Sequence, residues 1–425
     1  MKQNLINAAL NDNIELEISE KKYQTADINT LNQELKSFEV SDITLYIIKA
    51  IKNGKCVSLQ TEDIKNPDSI IDNINTMLEI SDNDNRNSLS KGNISNLLRD
   101  KEELDYNQVK EDILSLNKEI KEKFKEVVNI ETMYSHYTNG YYIENKNALL
   151  EDECFYNQYA ASITVTSNDF TRIAYVSVFT KKYDLNKLRK QIYENIESLL
   201  IKLNSDSVKT NKYNIILKNS CVANILNTFA NMFDSKEISL KESVLHDKFG
   251  KKVFSAKISI VEDPNGEDTI IKRSFDTEGV KTYYKELVKN GVFVKKINNL
   301  EYAIKNNEEP TGNSYGINNL YIKKGNISFN DLVKKLDNGI IIDEVIGLHA
   351  GIDTRNGNIS LQAEGLLVNN GKIIKGLKMI ILSTNLFELF NNVVEVGSDM
   401  SVDSADVSAP SLLIKDITIT GGSEE

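Results

Sequence analysis

Three histidines (His136, His246, His349) and three cysteines (Cys56, Cys154, Cys221) are the side chains of this 425-residue chain best suited to bind a metal or attack a substrate. A hydrolytic zinc site needs about three protein ligands, usually including two histidines one helical turn apart. Here each histidine is isolated, and neither H-x-x-x-H nor H-E-x-x-H occurs. Cys221 sits in the apolar run CVANILNTF, where a buried, inert thiol is expected. A nucleophilic cysteine would need a neighbouring base, and no histidine is close in sequence. The chain has no GxxxxGK[ST] and no GxGxxG, and GNSYG (312–316, containing Asn313) is too short to stand as a phosphate cradle. The segments EDPNGED and SFDTEGV bring Asp263, Asp276 and Glu278 close in sequence, and paired carboxylates can perform acid–base work. However, Pro264, Gly266 and Gly279 mark turns, where Asp and Glu are ordinarily solvated. Acidic turn residues of this kind can also receive the amino end or a basic side chain of a peptide.

The elements that must position these residues divide the chain in two. ITLYIIKAIKNGKCVSLQTED predicts two strands around Asn53-Gly54, since both residue types tolerate the positive φ of a tight hairpin. DSIIDNINTMLEI predicts a helix after Asn66-Pro67. Val109, Ile113, Leu116, Ile120, Phe124 and Val127 follow a 3.6-residue period, as do Leu185, Leu188, Ile192, Ile196, Leu199 and Leu203. Each stripe is wide enough to cover a sheet face. ASITVTSNDFTRIAYVSVFT between them reads as paired strands, and the polar residues 81–103 as a mobile surface insertion. After the polar stretch 204–212 the character changes. Asn290-Gly291, Asn356-Gly357 and Asn370-Gly371 turns separate β-rich segments such as GVFVKKI and GIIIDEVIGL. Helices are expected at CVANILNTFANMF and STNLFELFNNVVEV, and a closing strand at APSLLIKDITITGG. The expected fold class is therefore α+β. Residues 1–205 form an N-terminal mixed sheet with long helices, and residues 206–425 a β-rich C-terminal domain.

Bulk composition excludes several classes. With 51 Lys+Arg against 62 Asp+Glu the net charge is −11, which disfavours a phosphate backbone as partner. No apolar run reaches the length of a membrane span, and MKQNLINAALNDN lacks the apolar core of a signal peptide. Three cysteines without short spacing suit a reducing compartment, so a cytoplasmic location is expected.

The order of segments is more informative than any one of them. SVLHDKFGKKVFSAKISIVEDP, SFDTEGVKTYYKELVKNGVFVKKI, TGNSYGINNLYIKKGN, GLHAGIDTRNGNISLQAEGLLVNNGK, STNLFELFNNVVEVGSDM and PSLLIKDITITGG succeed one another as in the TldD/PmbA family. The chain resembles its PmbA (TldE) branch in particular. The resemblance covers the second half and extends more loosely to the early hairpin. It implies a heterodimeric zinc metalloprotease whose TldD-type subunit carries an HExxxH helix and a ligand cysteine near its C-terminus. On the matching segment VANILNTFANMFD, Asn224 and Phe229 stand where the histidines would be, and Ile225 replaces the glutamate. No histidine occurs between Tyr213 and Ser243, and no cysteine follows Cys221, so neither register nor a third ligand restores a zinc site. The resemblance therefore implies a non-catalytic subunit with zinc on a TldD-like partner, and an unfolded peptide as substrate. A homodimer is the alternative assembly when that partner is absent. Asp276, Glu278, Gly279, Asn313 and His349 are the peptide-cleft or interface candidates. His349 lies in the family's glycine-rich hairpin, matched by Gly347, Gly351, Gly357, Ser360, Ala363 and Gly365, where it is expected as a buried or rim hydrogen-bonding residue. A stand-alone hydrolase built from dispersed His, Asp and Cys, and an interaction protein without proteolytic duty, are the competing readings.

Overall fold

The computed structural model describes residues 1–83, 88–96, 102–167, 170–203 and 205–422. Its first half is one seven-stranded mixed sheet built from β1 (Glu15–Leu31), β2 (Glu34–Lys52), β3 (Lys55–Thr61), β4 (Gly92–Asn96), β5 (Val127–Asn145), β6 (Ala148–Ser167) and β7 (Phe170–Thr180). The order is β3-β2-β1-β5-β6-β4, with β7 also pairing β6. The β2–β3 turn places Asn53 at φ 52° and Gly54 at φ 80°. Both central residues are thus left-handed, as a two-residue hairpin requires. Helices α1 (Lys2–Asn11) and α2 (Pro67–Ile80) cover one end of the sheet through Leu5, Ile6, Ile70 and Ile74 against Ile18 and Ile48.

Helices α3 (Tyr106–Lys123) and α4 (Leu185–Lys202) cover the other end. Ile113, Leu116, Ile120, Leu188, Ile192 and Ile196 are buried against Ile130, Tyr134, Tyr159, Ile163 and Val176. Both apolar stripes face this sheet, as expected. However, α3 stops earlier than its periodicity suggests: Phe124 is its C-cap, and Val127 already begins β5. The polar stretch 81–103 also differs from expectation. Residues 84–87 and 97–101 lie outside the described residues, but 92–96 is not a loose insertion. It is β4, pairing in parallel with Ala148–Asp152. The Ser90 N–H donates to the Glu17 carboxylate at 2.6 Å.

The second half holds two further sheets. A small one runs β11-β10-β9-β12-β18 from β9 (Ile260–Glu262), β10 (Lys285–Lys289), β11 (Val292–Phe293), β12 (Leu320–Ile322) and β18 (Val407–Ser408). The run GVFVKKI thus gives only the two-residue strand β11. The larger sheet uses β8 (Asn211–Leu217), β13 (Gly339–Ile346), β14 (Ile352–Asp353), β15 (Asn358–Asn369), β16 (Lys372–Asn385), β17 (Val393–Met400) and β19 (Pro410–Thr420) in the order β13-β8-β19-β16-β15-β14, with β17 on β19. Pairing of β13 with β15 closes this sheet on itself, which removes most of its free edges. Helix α5 (Asn219–Thr228) and its C-cap Phe229 seat Val222, Ile225, Leu226 and the Phe229 ring in the core shared by the two sheets.

This is the α+β arrangement expected, and among the described residues no sheet crosses residues 205–206. Among the described residues no helix is long and apolar enough to cross a membrane.

Candidate functional site

Helix α5 lies where the first half meets the second. Five of its residues (Cys221, Val222, Ala223, Ile225 and Leu226) are buried, so its opposite face is polar, as amphipathic burial dictates. Ser220 and Asn224, one turn apart on that face, line a cavity of about 290 Å³. Ile173, Tyr175 and Ser177 of β7, Asn195 and Ser198 of α4, and Asp343 and Glu344 of β13 form its other walls. Beneath them is a charge network that ties the halves together. The Lys202 ammonium, 4% exposed, lies 3.3 Å from Asp343 and 3.7 Å from Glu364. The Ser198 hydroxyl donates to Asp343 at 2.6 Å, and one Arg172 nitrogen reaches both Glu364 oxygens at 2.8 Å.

Electrostatics on the cavity wall are set by burial. Desolvation raises the Glu344 carboxyl above its ordinary range, against the Lys202 charge. It raises Asp403 in the same way, against Lys218 among others. The Cys221 thiol is pushed up by burial as well and stays protonated at neutral pH, so it is no nucleophile.

A zinc ion does not fit the residues that α5 supplies. Asn224 is exposed to the cavity and offers an amide, while Ile225 (0% exposed) and Phe229 (1%) are core side chains. The histidines sit on separate elements. His136, on β5, is buried with Nδ1 3.0 Å from Asn157 Oδ1. His246 Nδ1 lies 3.0 Å from the Ser243 carbonyl. His349 is exposed on the one-turn helix Leu348–Gly351 rather than buried, and no hydrogen bond is made by its ring among the described residues. That short helix packs against α5, so the glycine-rich segment does border the cavity region. Among the described residues no group of three His, Cys, Asp or Glu side chains could hold a metal ion.

The remaining candidates form a second cluster, and their placement corrects the picture of a solvated rim. Asp276 is fully buried. One carboxylate oxygen accepts from the Glu278 and Val280 N–H groups at 2.9 and 3.0 Å, and the other from the Ser314 N–H at 2.9 Å. It clamps its own turn onto the GNSYG loop. Glu278 accepts from the Leu300 N–H at 2.8 Å, capping helix Leu300–Asn306. Burial raises both carboxyls, in each case against the backbone donors that favour the charged form. Gly279 has φ 74°, and a Cβ there would meet Ser90 Oγ at 2.2 Å. Only glycine lets the turn press on the first half at this point.

Asn313 is buried and leads to a pair that sequence reasoning missed. Its amide donates to Glu262 at 2.6 Å, and the same oxygen accepts from the Asn318 N–H at 2.8 Å. The other Glu262 oxygen lies 2.8 Å from the Lys285 ammonium, and neither side chain is exposed. The one signal was the largely apolar run Ile258–Val261 leading straight into Glu262; all three residues of β9 are buried.

Residues 210–421 match the PmbA/TldA metallopeptidase C-terminal domain. A "Metalloprotease PmbA homolog" of Buchnera aphidicola is 28% identical over 99% of this chain and 96% of its own. A Thermotoga maritima crystal structure, described as that of a candidate modulator of a DNA gyrase, has a TM-score of 0.86 at 26% identity. It covers 99% of both chains. TldE from Thermococcus kodakarensis, at 20% identity, shares the fold with a TM-score of 0.84 over 99% of this chain and 100% of its own.

Proposed function

The chain belongs to the TldD/PmbA family of metallopeptidases, and from that premise we propose that it serves as the non-catalytic, PmbA (TldE)-like subunit of a cytoplasmic heterodimer. A TldD-like partner carries the zinc and the hydrolytic step. This chain completes the enclosure and helps to hold unfolded peptide.

The observation that carries this reading is the face that α5 turns to the cavity. On the segment that the resemblance aligns with the catalytic subunit's zinc helix, α5 offers Ser220 and Asn224 to the cavity, while Ile225 and the C-cap Phe229 are buried. The cavity itself suits an extended chain. Phe179 of β7 donates its N–H outward to the Val402 carbonyl at 2.9 Å. Because strand hydrogen bonds alternate, the backbone groups of Ile173, Tyr175 and Ser177 point to the same side, along the cavity wall. An unfolded peptide would use such an edge without regard to its side chains. Asp276, Glu278, Gly279 and Asn313 would serve as a scaffold that fixes the turn and loop behind this region, while His349 lies on the exposed surface beside α5.

Co-expression with a TldD-type chain tests the proposal. Each chain alone and the pair are assayed for bound zinc and for cleavage of an unfolded peptide. Zinc is expected with the partner and with the pair, and cleavage with the pair; this chain alone should show neither. Stoichiometric zinc on this chain after dialysis, or peptide cleavage by it alone, would overturn the reading.

A further inference from the structure

Between the two halves, away from the α5 cavity, lies a second cavity of about 430 Å³, within the usual size range of small-ligand pockets. Four lysines from two segments stand around it: Lys181 and Lys182 after β7, and Lys272 and Lys281 flanking the DTEG turn. In a chain with net charge −11, lysines are ordinarily matched by carboxylates, and many here are ion-paired. Among the described residues these four have no ion-pair partner. The carboxylates nearby are directed elsewhere, although Glu153 keeps one buried oxygen without a hydrogen-bond partner. Asp152 accepts from the Asn96 amide at 2.9 Å and from the Ser274 backbone, and Glu153, on the wall, accepts from the Tyr142 hydroxyl. Ile94, Phe155 and Ile270 supply an apolar part to the same wall.

We infer that this seam cavity binds a phosphate-bearing small molecule, its anionic groups at the four lysines and any apolar portion on Phe155 and Ile270. Ammonium groups on flexible stems bind phosphate as point charges and need no fixed fork geometry. The site goes beyond the peptide reading and does not depend on it. Since its walls come from β4 and β6 on one side and from residues 265–281 on the other, an occupant would also bridge the two halves.

Titration calorimetry on the full chain at low ionic strength tests this with inorganic pyrophosphate, ADP and adenosine as probes. Pyrophosphate and ADP are expected to bind saturably and adenosine not. Tighter binding of ADP would assign the apolar wall to a nucleoside, whereas equal binding would assign the site to free phosphate chemistry. K272A/K281A should weaken binding about tenfold or more, and K146A, which removes an exposed lysine elsewhere, should leave it unchanged. Circular dichroism confirms that each variant is folded. The inference is overturned if neither anion binds saturably. It is equally overturned if K272A/K281A binds as well as the parent, or if K146A loses as much.

Discussion

Glu262 and Lys285 face each other at 2.8 Å in a site closed to solvent. Burial pushes the carboxyl up and the ammonium down, and their mutual attraction opposes both shifts. Removing one partner leaves the other uncompensated. K285M is therefore expected to destabilise the fold by about 3–5 kcal/mol, and E262Q/K285M by clearly less. The pH dependence has a definite sign. A carboxyl whose folded pKa is raised supports the fold fully below its unfolded value and loses that support as pH rises through the folded value. Urea melts should therefore show K285M closest to the parent at mildly acidic pH and furthest from it at mildly alkaline pH. A pH-independent difference would mean that Glu262 does not titrate as its burial implies. At this scale the sequence was only partly legible. Cys221 could be read as an inert buried thiol from its apolar neighbours. Asp276 could be placed on a turn, but not inside one, because residue type gives the local conformation and not what packs over it.

Among the elements, the DTEG turn is the most constrained. Gly279 is left-handed, and a Cβ there would overlap Ser90 and touch Leu150 Cδ1 at 3.0 Å. G279A should cost at least about 2 kcal/mol, from left-handed strain and overpacking together. A double-mutant cycle with S90G should show a coupling of roughly 1 kcal/mol, since S90G removes the atoms in the way. Additive effects would place the strain in the turn alone. The helices α3 and α4 were legible because one face of each must be apolar over four or more turns. β4 was not: its five residues, GNISN, carry no alternation, and its pairing with β6 is decided by tertiary contacts. The β2–β3 hairpin was legible for the opposite reason, since Asn53-Gly54 specifies its turn locally.

For the molecule as a whole, the decisive contacts join the two halves. Lys202 at the end of α4 neutralises Asp343 and Glu364, and Arg172 of β7 grips Glu364 with both oxygens engaged. K202M would leave the Asp343 carboxylate without its cation, while Arg172 still holds Glu364, and should lower stability by roughly 3 kcal/mol. Calorimetry should then show the transitions of the two halves drawing apart; a single transition at the parent temperature would show that other contacts hold them. None of these partners is adjacent in sequence, which is why the α5 cavity and the seam cavity could not be located from composition or period. The order of segments pointed to the TldD/PmbA family, whose C-terminal domain model matches residues 210–421.

The closed sheet of the second half also imposes an order on biogenesis. β8 emerges early, yet its neighbour on one side is β19; the N–H of Asn219 donates to the hydroxyl of Ser411, 192 residues downstream. At ribosomal rates of about 5–20 residues per second, β8 waits for roughly ten seconds or more before its companion is translated. During that interval α5 has no finished floor beneath it, and the aliphatic run Ile215–Leu217 lacks the strand that pairs with it on that side.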